Sequence, residues 1–171
     1  LKTFPEEIQK QKTRIAALQQ DSQIAAAHPQ DKENFCGMTI KGMVYDDKKA
    51  VGERLLLARQ EMPNADMMLL GTYRGFELNI RFDSFKNEHQ AVLRAELSYP
   101  VSLGDDARGN ITRLDNAIDN FTDRIADAEN ALQNLEQQKQ AAEVEVAKPF
   151  AQEEELAEKS ARLAELNALL N

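Results

Sequence analysis

A seven-residue repeat of apolar side chains runs from Asn110 to Ala147. Only Lys139 interrupts it, and no Gly or Pro follows Asn110 before Pro149. This spacing is typical of a coiled-coil helix that keeps one seam against a partner, so we expect one continuous helix. The repeat contains two sets of apolar residues, which are Ile111, Ile118, Ile125, Leu132 and Val146, and Leu114, Phe121, Ala128, Leu135 and Ala142.

Two further helices are expected to cover this seam. A weaker repeat runs from Pro5 to about Ala27 and ends before Pro29, because the residue before a proline avoids the helical region. After Pro149 we expect the chain to reverse into a third helix over 150–170. Each outer helix is joined to one end of the long helix, so both should run antiparallel to it.

Between the first two helices the pattern changes to a period of two, which is typical of β-strands. Phe76 to Asp83 and Ala91 to Tyr99 each alternate apolar and polar residues, with a polar connection from Ser84 to Gln90. This alternation predicts an antiparallel pair with one buried and one wet face. Pro100 limits the last strand to an edge or a terminus of the sheet.

The residues before these strands predict a hairpin, a helix and another strand. Two short apolar runs flank Lys41-Gly42, which is typical of a two-residue β-turn. A helix follows with Asp46 or Asp47 as its N-cap. The run Met68-Leu69-Leu70 predicts a strand after that helix.

We therefore predict an α+β protein. A small antiparallel-sheet-plus-helix head domain, of order ββαβββ, is inserted between helix 1 and helix 2 of a long antiparallel coiled coil of three helices. The predicted boundaries are 1–29 for coiled-coil helix 1, 30–104 for the small α+β domain, and 105–171 for coiled-coil helices 2 and 3. Gly104 to Gly109 are expected to form a turn, after which Asn110 can cap the long helix.

The net charge of −8 is concentrated in the C-terminal helices. Residues 1–30 carry four basic and three acidic groups, 31–104 carry ten and eleven, and 105–171 carry seven and fifteen. An acidic surface repels phosphate, so these helices are poor candidates for a nucleic-acid contact. The nearly neutral middle segment can still carry a local basic face.

The remaining composition favours a chain from a reducing compartment. A single cysteine, Cys36, cannot form an internal disulfide, which fits the cytoplasm. No signal peptide and no apolar run of membrane-spanning length occurs. The sequence begins with Leu1 and ends at Asn171 within a helical pattern, so we expect a piece of a longer protein.

The sequence predicts no catalytic residue, no cofactor and no metal site. His28, His89 and Cys36 are scattered, without the spacing of metal ligands. Recognisable phosphate-binding glycine loops, nucleophile elbows and Ser/His/Asp sets do not occur. The repeated aspartates of the long helix are best explained as a solvated face.

One segment suggests a nucleic-acid contact. Tyr73 and Arg74 lie between two glycines beside a predicted strand, and Arg81, Lys86 and Arg94 are expected nearby in the sheet. Together these residues could present a small basic and aromatic patch to DNA. A tight turn with an exposed arginine is the simpler interpretation, and it is the one that we favour.

Several sequence runs match a known kind of protein, and they are Thr39 to Gly42, Tyr45 to Ala50, Leu70 to Phe76, Val101 to Gly104, Gly109 to Ala117, Lys148 to Phe150, Glu153 to Leu156 and Ala161 to Asn167. These runs resemble the C-terminal end of very large proteins from conjugative plasmids and transposons of gut bacteria. Those proteins fuse an adenine-specific DNA methyltransferase with a Swi/Snf-type helicase. The resemblance covers nearly all of the chain from about residue 37, and the run from Gly109 to Asn116 is its most specific part.

The resemblance implies a parent protein and no catalytic residue in this chain. The methyltransferase's Asn-Pro-Pro-Tyr-type loop and the helicase's phosphate-binding Gly-Lys-Thr/Ser loop do not occur here, so ATP binding would belong to upstream domains of the parent.

Two functions remain open. The chain could be a non-catalytic accessory module that positions DNA or a protein partner, in contact with the upstream helicase and methyltransferase domains. It could instead be a protein-interaction or oligomerisation coiled coil with no nucleic-acid role, as a monomer or a coiled-coil dimer.

Overall fold

The computed structural model describes residues 3–31, 33–62 and 66–170, except for the side chains of 148–157, 160 and 167–170. The described residues form helices and one antiparallel sheet. In chain order the elements are α1 (Phe4–Ala27), β1 (Met38–Ile40), β2 (Met43–Tyr45), α2 (Lys48–Glu61), β3 (Met68–Tyr73), β4 (Phe76–Asp83), β5 (Glu88–Arg94), β6 (Ser98–Ser102), α3 (Ala107–Ile118) and α4 (Phe121–Leu170).

The chain divides into two compact units. One consists of Thr13–Ala128 and contains the whole sheet. The other consists of Leu1–Lys12 and Glu129–Asn171. The predicted domain boundaries at residues 29 and 104 therefore both fall inside the sheet-bearing unit.

The sheet has six strands in the order β2-β1-β3-β4-β5-β6. All neighbouring pairs are antiparallel. Because side chains alternate along a strand, Phe76, Leu78 and Ile80 of β4 point to one face and are buried. The opposite face contains polar side chains such as Glu77 and Arg94, which are exposed.

The helices of the sheet-bearing unit cover the buried face. One hydrophobic cluster joins this face to all four helices, and every residue of the cluster lies between residues 15 and 128. The rings of Phe76 and Phe121 stack with centroids 6.0 Å apart, and Tyr99 meets Phe121 edge-on at 5.2 Å. The start of α4 is therefore part of the core beneath the sheet.

The structure confirms the predicted hairpin and the cap of α2. Lys41 and Gly42 have φ values of 52° and 80°, as a type I′ turn requires, and join β1 to β2. Asp47 is the N-cap of α2, where its carboxylate accepts the backbone N–H of Ala50 at 2.9 Å. Pro100 lies in β6, which is an edge strand as predicted.

The predicted strand from Ala91 to Tyr99 is wrong, because the chain turns in its middle. β5 ends at Arg94 and β6 begins at Ser98, which gives the order ββαββββ. The carboxylate of the buried Asp21 in α1 accepts the backbone N–H groups of Glu96 and Leu97, at 2.9 and 3.0 Å. The alternation of apolar and polar residues continues through this turn, so the sequence pattern does not indicate it.

The predicted continuous helix from Asn110 to Ala147 is also wrong. α3 ends at Ile118, and α4 begins at Phe121 after a turn at Asp119 and Asn120. Asp and Asn compete with helical hydrogen bonds through their short polar side chains, which favours a turn here. The heptad pattern crosses this turn because Ile118 and Phe121 both remain buried in the core of the sheet-bearing unit.

Asn110 has a different role from the predicted cap. α3 begins three residues earlier, at Ala107, and Asp106 is its N-cap residue. The buried Asn110 side chain accepts the N–H of Gly104 at 2.8 Å and donates to its carbonyl at 3.0 Å. It therefore fixes the connection from β6 to α3.

The three-helix coiled coil is contradicted. The described backbone remains helical through Pro149, so the predicted second helix from Phe121 onward and the predicted third helix form one helix, α4, of 50 residues. Proline removes one helical hydrogen bond and crowds the carbonyl four residues earlier, and the flanking turns can hold the helix across this point. The predicted reversal after Pro149 does not occur, although the α+β class agrees with the structure.

The second unit contains an antiparallel pair of helical segments. Phe4 and Pro5 of α1 lie beside Val146 and Ala147 of α4 in one shallow groove. The next groove brings residues 7–11 beside residues 131–138. Later residues of α1 therefore lie beside earlier residues of α4, so the two segments run in opposite directions.

None of the helices in the described part of the chain combines the length and the apolar content needed to cross a membrane.

Candidate nucleic-acid interface

Tyr73 and Arg74, two of the five predicted contact residues, lie at a tight turn against the helices. Arg74 and Gly75 have φ values of 48° and 83°, so they form the type I′ turn between β3 and β4. The Arg74 side chain is only 2% exposed. Tyr73 belongs to the core, and its ring stacks on Phe35 with centroids 5.9 Å apart.

Each of the three nitrogens of the Arg74 guanidinium donates a hydrogen bond to a protein acceptor. Nε donates to the carbonyl of His28 at 2.8 Å, Nη1 to Asp115 at 3.2 Å, and Nη2 to Asp119 at 2.7 Å. Three of its five N–H groups are thus engaged, and because the Arg74 side chain is only 2% exposed, a DNA phosphate has no access to the other two. Arg74 therefore joins the β3–β4 turn to the last turn of α3 and to the turn that follows it.

The electrostatics at this position are those of a buried ion pair. Burial raises the pKa of Asp115, although the hydrogen bond from Tyr73 and the charge of Arg74 act in the opposite direction. Burial, followed by the hydrogen bond to Asp115, raises the pKa of Tyr73 far above its ordinary value. Tyr73 consequently remains a neutral hydrogen-bond donor. Its contact with Asp115, like that of Arg74, joins the β3–β4 turn to α3.

The other three predicted residues, Arg81, Lys86 and Arg94, belong to the β4–β5 hairpin. Arg81 on β4 pairs with Gln90 on β5, and Arg94 pairs with Glu77. Arg81 and Arg94 share the polar face of the sheet, opposite the helices. The row of Arg81 and the row of Arg94 are four residues apart, which is about 14 Å at about 3.4 Å per residue.

A hydrogen-bond network fixes the end of this hairpin. Arg81 donates to the Gln90 carbonyl oxygen through Nε and Nη2, at 3.0 and 2.9 Å. The Gln90 amide donates to Asp83 and Glu88, and the Ser102 hydroxyl donates to Glu88 at 2.7 Å. The hydrogen bonds from Gln90 and Ser102 lower the pKa of Glu88. Both carboxylates are therefore engaged by neighbouring donors.

The hairpin tip presents Phe85 and Lys86 to solvent. A carboxylate oxygen of Asp83 accepts the backbone N–H of Phe85 at 3.0 Å and that of Lys86 at 3.3 Å. Asn87 has a φ of 52° and turns the chain back into β5. The Phe85 side chain is as exposed as in an extended peptide, at 101%. No apolar pattern in the sequence indicates Phe85, because it lies in a connection of otherwise polar residues.

Elsewhere in the sheet-bearing unit, Lys48 and six carboxylates line a polar cleft of about 650 Å³. The carboxylates belong to Asp31, Glu33, Asp46, Asp47, Asp115 and Asp119. Their positions are far apart in the sequence, so no local pattern indicates the cleft. These carboxylates repel phosphate, so the cleft is a poor contact surface for DNA. Among the described residues, no three His, Cys, Asp or Glu side chains are grouped so that they could hold a metal ion.

Comparison with protein-family models, with curated proteins and with solved structures gives no match to this chain.

Proposed function

We propose that the chain is a non-catalytic accessory module whose sheet-bearing unit contacts DNA through the β4–β5 hairpin. The single observation that carries this proposal is the grouping of Arg81, Lys86 and Arg94 on one hairpin, away from the acidic cleft. Phosphate contacts by Lys and Arg supply the sequence-independent part of DNA affinity.

Two features favour a weak contact that depends on salt. Lys86 and Arg94 are exposed, whereas Arg81 already donates to Gln90. The hairpin also carries the carboxylates of Glu77, Asp83 and Glu88, so its formal charge is balanced. Three phosphate contacts at most would be made, and each contributes a salt dependence of about one unit in the logarithmic slope.

The proposed context is a larger cytoplasmic protein with helicase and DNA methyltransferase domains upstream. The resemblance described above supports this context. In such a protein the module would hold DNA near the active domains, and those domains would be its partners within the chain. The specific sequence run from Gly109 to Asn116 contains Asn110 and Asp115, which both hold structural hydrogen bonds.

Fluorescence anisotropy with labelled duplex and single-stranded DNA, at low and at physiological salt, tests the DNA contact. We expect binding at low salt that weakens as salt is added. Lys86→Glu and Arg94→Glu should each weaken binding and lower the logarithmic salt slope by about one. The matched control is Lys49→Glu, because Lys49 is an exposed cation on α2, outside the hairpin.

Wild-type protein that fails to bind either DNA at low salt would contradict the proposal. An equal loss of affinity in the Lys49→Glu control would also contradict it, since the effect would then follow net charge and not the hairpin.

A second candidate function is supported by α4. Leu163 and Leu166 are 62% and 56% exposed, and Leu163 follows Leu135 by four heptads on the same helix. An exposed apolar stripe on a helix favours association with another helix. The chain would then be an oligomerisation module, and its mass in solution would increase with concentration.

A further inference from the structure

The exposed aromatic ring at the end of the β4–β5 hairpin has no role in the fold. Phe85 is fully exposed, and the hydrophobic cluster beneath the sheet does not include it. An exposed phenylalanine gives up the hydrophobic stabilisation that its burial would contribute. The ring is therefore placed where the folded chain gains nothing from it.

Hydrogen bonds fix the backbone of the turn that carries this ring. Both backbone N–H groups at Phe85 and Lys86 donate to Asp83, and Gln90 ties that carboxylate to Glu88 across the hairpin. The rings of Phe82 and His89, at the base of the turn, meet edge-on with centroids 5.0 Å apart. A phenylalanine on a fixed turn has only two side-chain torsions to immobilise on binding.

The charges beside the ring select the kind of partner. Lys86 follows Phe85 directly and forms no salt bridge among the described residues, whereas the two nearby carboxylates are engaged in hydrogen bonds. A flat apolar face next to an available cation matches a nucleobase next to its phosphate. Proteins that bind single-stranded nucleic acid combine aromatic stacking with positive charge in this way.

We infer that Phe85 is a stacking residue for unpaired bases, and that Lys86 contacts the adjacent phosphate. This inference rests on the proposed DNA contact and narrows it to single strands and to duplexes with unpaired ends. A fully paired duplex offers no free base face at its interior, so the ring would add little to duplex binding.

The absence of tryptophan from the chain gives a direct test, since Phe85→Trp creates a single fluorescent reporter. We expect a 12-nucleotide single strand to quench this reporter at saturation, and the same strand in a blunt duplex to quench it much less. The matched control is Leu57→Trp, because Leu57 is an exposed residue of α2, outside the β4–β5 hairpin. Its emission should change little with either DNA.

The companion variant is Phe85→Ala, measured by anisotropy with the same two DNA molecules. We expect its affinity for the single strand to fall by about tenfold or more, with little change for the duplex. Because the side chain is fully exposed, the thermal unfolding temperature should stay at the wild-type value.

The outcomes separate this inference from the proposed function. Wild-type protein that binds neither DNA overturns both. Wild-type protein that binds DNA, with an unquenched Phe85→Trp reporter and an unchanged Phe85→Ala affinity, overturns the stacking role alone. The same conclusion follows if Phe85→Ala weakens single-strand and duplex binding equally.

Discussion

Asp21 joins the first helix to the sheet through three hydrogen bonds. Its buried carboxylate accepts two backbone N–H groups of the β5–β6 turn and the hydroxyl of Tyr99. Burial, together with the hydrogen bond to Asp21, raises the pKa of Tyr99 above its ordinary value, so this hydroxyl keeps its proton at neutral pH. A carboxylate placed among three donors decides where β5 ends.

We expect Asp21→Ala to lower the free energy of unfolding by about 3 kcal/mol, because it leaves buried N–H and O–H groups without an acceptor. The control is Asp105→Ala, which removes a fully exposed carboxylate paired with Arg59. The free energy of unfolding of this control variant should stay within about 0.5 kcal/mol of the wild-type value. Urea unfolding at pH 7 measures both, and equal midpoints for the two variants would contradict the role given to Asp21.

Single residues also explain which parts of the candidate site could be predicted. The type I′ turn at Lys41-Gly42 and the cap at Asp47 depend on neighbours in sequence, so local patterns identify them. The burial of Arg74 depends on Asp115 and Asp119, which are more than 40 residues away. No local pattern distinguishes an exposed arginine at a turn from one that meets two distant carboxylates.

At the scale of elements, the heptad repeat predicts which residues face inward but not where a helix ends. The seam from Ile111 to Phe121 packs beneath the sheet, whereas Leu132 and Leu135 belong to the second unit, which is helical. A helix that packs beneath the sheet and a helix that packs against another helix both require the same apolar spacing. The turn at Asp119 and the continuation through Pro149 therefore leave the repeat unchanged, and the repeat indicates neither of them.

Element α4 carries the second candidate function, and its exposed leucines provide the test. We expect the wild-type mass in sedimentation equilibrium to rise with concentration toward that of a dimer, because Leu163 and Leu166 would be buried between two copies. Leu163→Gln with Leu166→Gln should keep the protein monomeric over the same range.

The control for that experiment is Leu57→Gln, an equally polar change at a leucine of α2 that is 53% exposed. It should associate as wild type does. A wild-type mass that stays at the monomer value at every concentration would rule out self-association through α4.

At the scale of the whole molecule, the hydrophobic core and the proposed DNA contact both lie in one of the two units. The sheet, the hydrophobic cluster and the β4–β5 hairpin all lie within residues 13–128. The acidic excess lies mainly outside the hairpin, in residues 105–171. The sheet-bearing unit thus has both a complete core and the hairpin that carries Arg81, Lys86 and Arg94.

The fragment of residues 13–128 should therefore fold by itself. A domain of this size can bury enough apolar surface for cooperative unfolding, and the cluster that provides this surface is intact in the fragment. We expect a single sharp thermal transition, and DNA affinity equal to or above that of the full chain, because the removed segments have a net negative charge. Circular dichroism and the same anisotropy titration measure the two quantities. A fragment that melts without a transition would show that the helical unit is needed for folding, and a folded fragment that has lost DNA binding would place the contact outside the hairpin.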